Sequence, residues 1–454
     1  MRRSGLAGLG IAVSGSVAAI AAPEATGQIT RAAAGYGPLV PDPDGLLSLP
    51  AGFSYRIIAE AGKTTLDSGE LTPTDHDGAA CFATADGLGL VLVNNHEIDE
   101  DEQPGVPPLP EVTYDPGARG GCTNISLDRL GNRTGEYVSI AGTHNNCAGG
   151  RTPWHTWLTC EETEDRAGGA LTKDHGYVFE VDALDPEANK NPVPLKFLGR
   201  YSHEAVAVDP HNSTIYLTED ADTPSGLYFR WTPPRHFTGG KGALRELALS
   251  EGGDTAGRLQ AMSCYKGSRH IADLSQATQP GTKYRVEWVD APDRDARTTS
   301  VRNQFDDDQV TRCLKLEGAY WGDGGAHFVA SYARVSDGSV NDHDGQVWFY
   351  DPENETVTLT TMFGVNPDPD ADTNYDGPDN ITVDPHGGVI LAEDGEGIQH
   401  LVGVTEDGQS YPLARNDRND SEFTGPTFSP DGNILFACIQ SGPGYVFAIT
   451  GPWR

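Results

Sequence analysis

Ala205-Val-Ala-Val-Asp-Pro-His-Asn-Ser-Thr-Ile-Tyr-Leu-Thr-Glu-Asp220 holds a short apolar run, an Asp-Pro turn, a second apolar run and an acidic end. Two such runs about a tight turn read as a β-hairpin. Ile381 to Asp394 and Pro426 to Cys438 repeat the pattern, and Cys81 to Glu97 repeats it without the proline. A recurring hairpin unit is the signature of a β-propeller blade. The copies are unevenly spaced, so loops are inserted between blades. No stretch sustains a 3.6-residue apolar period. The expectation is an all-β fold: one irregular β-propeller of roughly six blades over residues 51–454, closed by the strand Gly444 to Thr450. Residues 26–50 read as an extended lead-in, and Arg258 to Gln304 as the largest insertion, with mixed charge and few clear strands.

A chain of 454 residues is long for one compact core but ordinary for a closed repeat architecture. Its 55 glycines and 31 prolines imply many turns. The net charge of −34 is spread along the chain. Nucleic-acid binding is excluded as a function class, because phosphate backbones need basic patches. An excess of this size fits solubility in salt or bound cations.

Residues 1–25 read as an export signal. Arg2-Arg3 precedes an apolar, small-residue run from Gly5 to Ala22, with Ala19-Ile-Ala21 as a cleavage site. Twin arginines suggest export of an already folded protein. The run is too short and polar to span a membrane, so the mature chain is expected without a span, in the periplasm or outside the cell. Seven cysteines leave at least one without an intramolecular partner.

The hairpins share polar ends: Asn95-His96-Glu97, Glu219-Asp220 and Glu393-Asp394. In a propeller, equivalent ends converge on one mouth of the central channel. Buried unpaired carboxylates cost several kcal/mol each, and cations would relieve them. Oxygen donors favour Ca²⁺ or Mg²⁺, and a thiolate among them favours a softer metal such as iron. One stretch concentrates these donors, Asn145-Asn-Cys-Ala-Gly-Gly-Arg-Thr-Pro-Trp-His-Thr-Trp-Leu-Thr-Cys-Glu-Glu162. Cys147 reads as part of an exposed glycine turn, and Trp154 to Leu158 as a strand ending on Glu161-Glu162. The chain lacks a Walker loop, a G-x-S-x-G elbow and H-E-x-x-H.

Asn146-Cys-Ala-Gly-Gly150, Pro153-Trp154 and Thr156-Trp-Leu-Thr-Cys-Glu-Glu162 resemble the PhoX-type alkaline phosphatases. Asn95-His-Glu97, Tyr201-Ser-His-Glu-Ala-Val206, Glu317-Gly-Ala319, Pro378-Asp-Asn380, Ala392-Glu-Asp-Gly395 and Phe423 to Gly432 extend the likeness across nearly the whole mature chain. The resemblance implies an exported, monomeric propeller phosphomonoesterase acting on small phosphate esters. It implies iron and calcium held by carboxylates, an asparagine and a cysteine. Cys147 would be the iron thiolate. Glu97, Glu162, Glu219, Asp379 and Glu393 would be the first carboxylate ligands, with Glu161, Glu204 and Glu317 next and Asn380 as the amide. Cys147, Glu162 and Lys315 would be the residues nearest the chemistry. The pattern calls for an arginine before Glu317-Gly318, where this chain has Lys315, a point charge rather than a bidentate fork. Two other readings stay open: a calcium-dependent propeller lactonase or phytase-like enzyme that would not need Cys147, and a non-catalytic propeller stabilised by calcium.

Overall fold

The opening hairpin forms as expected, but its first strand starts two residues earlier, at His203. The structure is a computed structural model that describes residues 34–99, 102–371 and 374–454. The export signal lies outside the described residues. Residues Ala34–Arg454 make one compact unit.

The strands group into antiparallel blades. Blade I is His76–Ala83, Gly89–His96, Gly120–Asp128 and Arg133–Thr143; blade II is Asn146–Arg151, Trp157–Glu161 and Val178–Val181. Blade III is His203–Val208, Ile215–Glu219, Gly226–Thr232 and Arg258–Lys266; blade IV is Leu316–Gly322, Gly325–Ala330, Gly345–Asp351 and Thr356–Phe363. Blade V is Pro378–Val383, Val389–Glu393, His400–Val404 and Ser410–Asn416, with Leu47–Pro50 and Leu39–Val40 added outside it. Blade VI is Phe423–Phe428, Leu435–Ile439 and Tyr445–Thr450. Its fourth strand is Ser54–Glu60, so a strand from the start of the propeller closes the ring against Tyr445–Thr450. The first strand of each blade touches the first strand of the next, from blade I round to VI and back to I. These inner strands line the channel.

Two readings need correction. The stretch 258–304 is no bare insertion: Arg258–Lys266 is the outer strand of blade III. Lys283–Asp290 then pairs with it on one side and with Thr356–Phe363 of blade IV on the other, joining the two blades into one sheet. Its charges concealed it, because Lys283, Arg285 and Glu287 point to solvent while Tyr284 and Val286 point inward. The second concerns Trp154. Pro153 and His155, the latter in the left-handed region at φ 65°, form a turn, and the strand starts only at Trp157.

Aromatic side chains fill the gap between blades III and IV. Tyr216, Tyr228, Phe328 and Tyr350 pack there with Trp288. All seven cysteines are buried and unpaired by disulfides.

Candidate metal centre

Every inner strand carries the same irregularity near its start. In blade III, His203 faces Glu219 and Val206 faces Leu217, so Glu204 and Ala205 oppose the single residue Thr218. This two-against-one pairing is a β-bulge. It recurs at Asp77-Gly78, Cys147-Ala148, Glu317-Gly318, Asp379-Asn380 and Gly425-Pro426. Each bulge turns its first residue into the channel. Asp77, Cys147, Glu204, Glu317 and Asp379 thus occupy equivalent places in five successive blades. In blades I to IV the second bulge residue is glycine or alanine, and at Gly78 and Gly318 the neighbouring backbone is close. A Cβ on Gly78 would sit 2.7 Å from Ala148 Cα, and one on Gly318 2.7 Å from the Asp379 carbonyl oxygen.

Two overlapping donor groups result. Cys147, Glu162 and Glu204 each offer an atom within 4.8 Å of the others, and so do Glu204, Glu317 and Asp379. Glu204 belongs to both. Cys147 is a buried strand residue, not part of an exposed turn, and its Sγ lies 3.3 Å from the His203 carbonyl oxygen. Cys160 is buried behind the carboxylates among Leu158, Val178 and Tyr201.

The second strands end at the same level. Glu97 accepts a 2.7 Å hydrogen bond from Gln440 and one of 3.2 Å from Asn145. Asn145 also reaches Glu162 Oε2 at 3.5 Å. Glu422, directly before the inner strand of blade VI, is half-buried among the charges of Asp394, Asp379, Asp77 and Glu97. Lys315 Nζ supplies the opposing charge, 3.1 Å from Glu317 and 3.7 Å from Asp220.

One lysine cannot neutralise this set. Burial, then mutual repulsion, holds Asp77, Glu162, Glu204 and Asp379 well above the usual carboxylate range. Burial raises Glu317 to about 8 against the pull of Lys315, and raises Glu97 to about 7. Asp77 Oδ1 and Asp220 Oδ1 are buried without a hydrogen-bond partner among the described residues. Orphaned, crowded, hard oxygen donors beside one thiol are the donor set that cations fit. Burial also raises the Cys147 thiol, so a cation held there would have to displace its proton.

The structure separates the paired acids of the hairpin ends. Successive strand residues point to opposite sides, so one member of each pair enters the blade and the next faces the channel. Glu161 accepts from His175 Nδ1 at 2.6 Å and from three backbone N–H groups. Glu219 accepts from Arg302 at 3.1 Å and from the Leu227 N–H. Glu393 accepts from His400 Nδ1 at 2.9 Å and from two backbone N–H groups. These three, expected among the metal ligands, are held inside their own blades; Glu162, Asp220 and Asp394 follow them at the channel. Asn380 sits one level below the acids, accepting from the Gly425 N–H at 2.6 Å and donating to Asp379 at 3.2 Å. His96 is bound to Thr74 and Thr123. Asp77 and Glu422 escaped sequence reasoning. Asp77-Gly78, Glu204-Ala205 and Glu317-Gly318 share an acid followed by glycine or alanine near the start of an apolar inner strand, and that is the signal that finds Asp77.

The family model described as alkaline phosphatase PhoX matches residues 34–134 and 128–444. Among solved structures, Pseudomonas fluorescens PhoX in complex with vanadate, a transition state analogue, is similar at 17% identity and a TM-score of 0.66, over 90% of this chain and 96% of that one. A gluconolactonase from Xanthomonas campestris is similar at 11% identity and a TM-score of 0.42, over 92% and 99% of the two chains, too loose a likeness to bear on the chemistry. No curated protein matches the chain. No helix among the described residues is long and apolar enough to cross a membrane. With the family pattern running through nearly all of the described residues, the chain belongs to the PhoX alkaline phosphatase family, a phosphatase built on a β-propeller.

Proposed function

We propose that the chain is an exported, monomeric, metal-dependent phosphomonoesterase that releases inorganic phosphate from small phosphate esters. The observation that carries this reading is the pair of donor groups sharing Glu204, with Cys147 in one and Lys315 beside the other. Cys147, Glu162 and Glu204 would hold iron, drawn by the thiolate; Glu204, Glu317 and Asp379 would hold calcium, drawn by hard oxygens. Glu97, Asp77, Asp220, Asp394 and Glu422 are further channel carboxylates able to complete these spheres. Bound cations would supply the positive field for the phosphoryl oxygens and lower the pKa of the attacking oxygen.

The chain's own residues do the rest. Gln440 and Asn145 fix Glu97 and Glu162 by hydrogen bonds, so those carboxylates stay oriented towards the channel. His175, Arg302 and His400 hold the back row of acids inside the blades and keep that charge away from the channel. Lys315 Nζ is the protein's own cation for a phosphoryl oxygen. It is held by a backbone in the left-handed region, φ 44°. Asp75, Asn145 and Gly377 hold the same conformation at the equivalent place in their blades, so the architecture of the ring sets the Lys315 backbone. Export through the twin-arginine route fits a site assembled only in the folded chain.

The test is hydrolysis of p-nitrophenyl phosphate at alkaline pH. Activity should vanish in a calcium chelator and in Glu162→Gln. Metal-loaded protein with no activity at any alkaline pH would end the phosphomonoesterase reading.

A further inference from the structure

The channel ring changes character in blades IV and VI. In five blades the residue after the second strand donates its N–H to the residue just before the inner strand. These pairs are Glu97 to Asp75 at 2.9 Å, Glu162 to Asn145 at 2.9 Å, Ser331 to Lys315 at 2.9 Å, Asp394 to Gly377 at 2.7 Å and Gln440 to Glu422 at 3.2 Å. In the first four the acceptor residue has a left-handed backbone, φ 44–52°. The shared bond makes the five donor residues equivalent, and blade III follows with Asp220 after its second strand. Blades I, II, III and V therefore present a carboxylate at this position. Blade VI presents the amide of Gln440, already engaged with Glu97, and blade IV presents a hydroxyl.

Ser331 is 0% exposed, and its Oγ has no hydrogen-bond partner among the described residues. A buried orphan hydroxyl costs free energy unless something binds it. Its cross-strand neighbour is Lys315, the amine set among the channel acids. The next residue, Tyr332, opens onto a cleft of about 500 Å³ shared with Arg334, Gly377 and Asp394. Blade IV thus joins a missing carboxylate, an unused donor, a cation and room for an organic group.

We propose that Ser331 and Lys315 form the anion-contacting sector of the ring. Ser331 Oγ–H donates to one oxygen of a bound phosphoryl group, and Lys315 Nζ faces another. The alcohol portion of the ester then lies in the Tyr332 cleft. This rests on the phosphomonoesterase reading and assigns the site's substrate contacts. A carboxylate at position 331, as in blades I, II, III and V, would repel the ligand.

The experiment measures inorganic phosphate binding to metal-loaded protein by calorimetry, alongside metal content and thermal stability. Ser331→Ala is expected to weaken phosphate binding about 10- to 100-fold, the range for a hydrogen bond to a charged partner. Metal content should stay unchanged. The melting temperature should be equal or higher, since the orphan hydroxyl is gone. Ser331→Asp should abolish phosphate binding while keeping the metals. Ser331→Ala with wild-type phosphate affinity overturns the proposal, and so does a loss of affinity that tracks lost metal or stability in both variants. Wild-type protein that neither binds phosphate nor hydrolyses an ester overturns the phosphatase reading and this one with it.

Discussion

Glu204→Gln should change stability with opposite signs depending on bound metal. The substitution keeps shape and removes a charge at the residue common to both donor groups. Glu204 lies within 4.8 Å of donor atoms on Glu162, Glu317 and Asp379. At that separation and an effective dielectric of ~20, one ionised pair repels by roughly 3.5 kcal/mol. Proton uptake by the stripped cluster relieves much of this, leaving a gain of about 1–3 kcal/mol for the stripped variant. In the loaded protein the same change removes a donor from both groups. A ~100-fold loss of cation affinity is roughly 2.7 kcal/mol of stability at saturating metal. The assay is urea or thermal unfolding of wild type and Glu204→Gln, each in chelator and in excess calcium with iron. The expected result is a stripped variant more stable than stripped wild type, and a loaded variant less stable than loaded wild type. Equal destabilisation in both conditions would refute the reasoning and make Glu204 a structural hydrogen-bonding residue.

Two further outcomes follow from packing and protonation. Gly78→Ala should destabilise by upwards of roughly 2 kcal/mol in urea unfolding, because its Cβ would meet Ala148 Cα at 2.7 Å and force blades I and II apart. His343 accepts the Gly345 N–H at Nδ1, so that nitrogen must be unprotonated, and burial lowers the ring's pKa to about 4. The folded value lies below the unfolded one of ~6.5, so there is no cost above that pH. Stability should fall as pH drops from about 6.5 towards 4, by roughly 3 kcal/mol, and His343→Asn should flatten this slope in urea unfolding.

The hairpins were legible because apolar alternation and Asp-Pro or Asp-Gly turns are local signals. Ala205, Ile381 and Pro426 were where the pattern became clear, and each lies at or just after a bulge. The extra residue breaks the two-residue alternation, so the segment carrying Asp77, Cys147, Glu204, Glu317 and Asp379 did not read as strand. Cys147 accordingly looked like part of a turn, and Glu204, Glu317 and Asp379 were reached through family resemblance. The acidic strand ends were visible as pairs, Glu161-Glu162, Glu219-Asp220 and Glu393-Asp394. Which member faces the channel depends on register, and register depends on the bulge. The blade partners His175, Arg302 and His400, which claim the inward acids, are distant in sequence or on other strands. Lys283–Asp290 was hidden by its own solvent-facing charges, which alternate with Tyr284 and Val286.

The central claim is that the channel acids and Cys147 hold two kinds of cation. Elemental analysis of natively purified protein tests it most directly. Both iron and calcium are expected in the wild type, with iron lost and calcium largely kept in Cys147→Ser. Calcium alone, unchanged by Cys147→Ser, would contradict it.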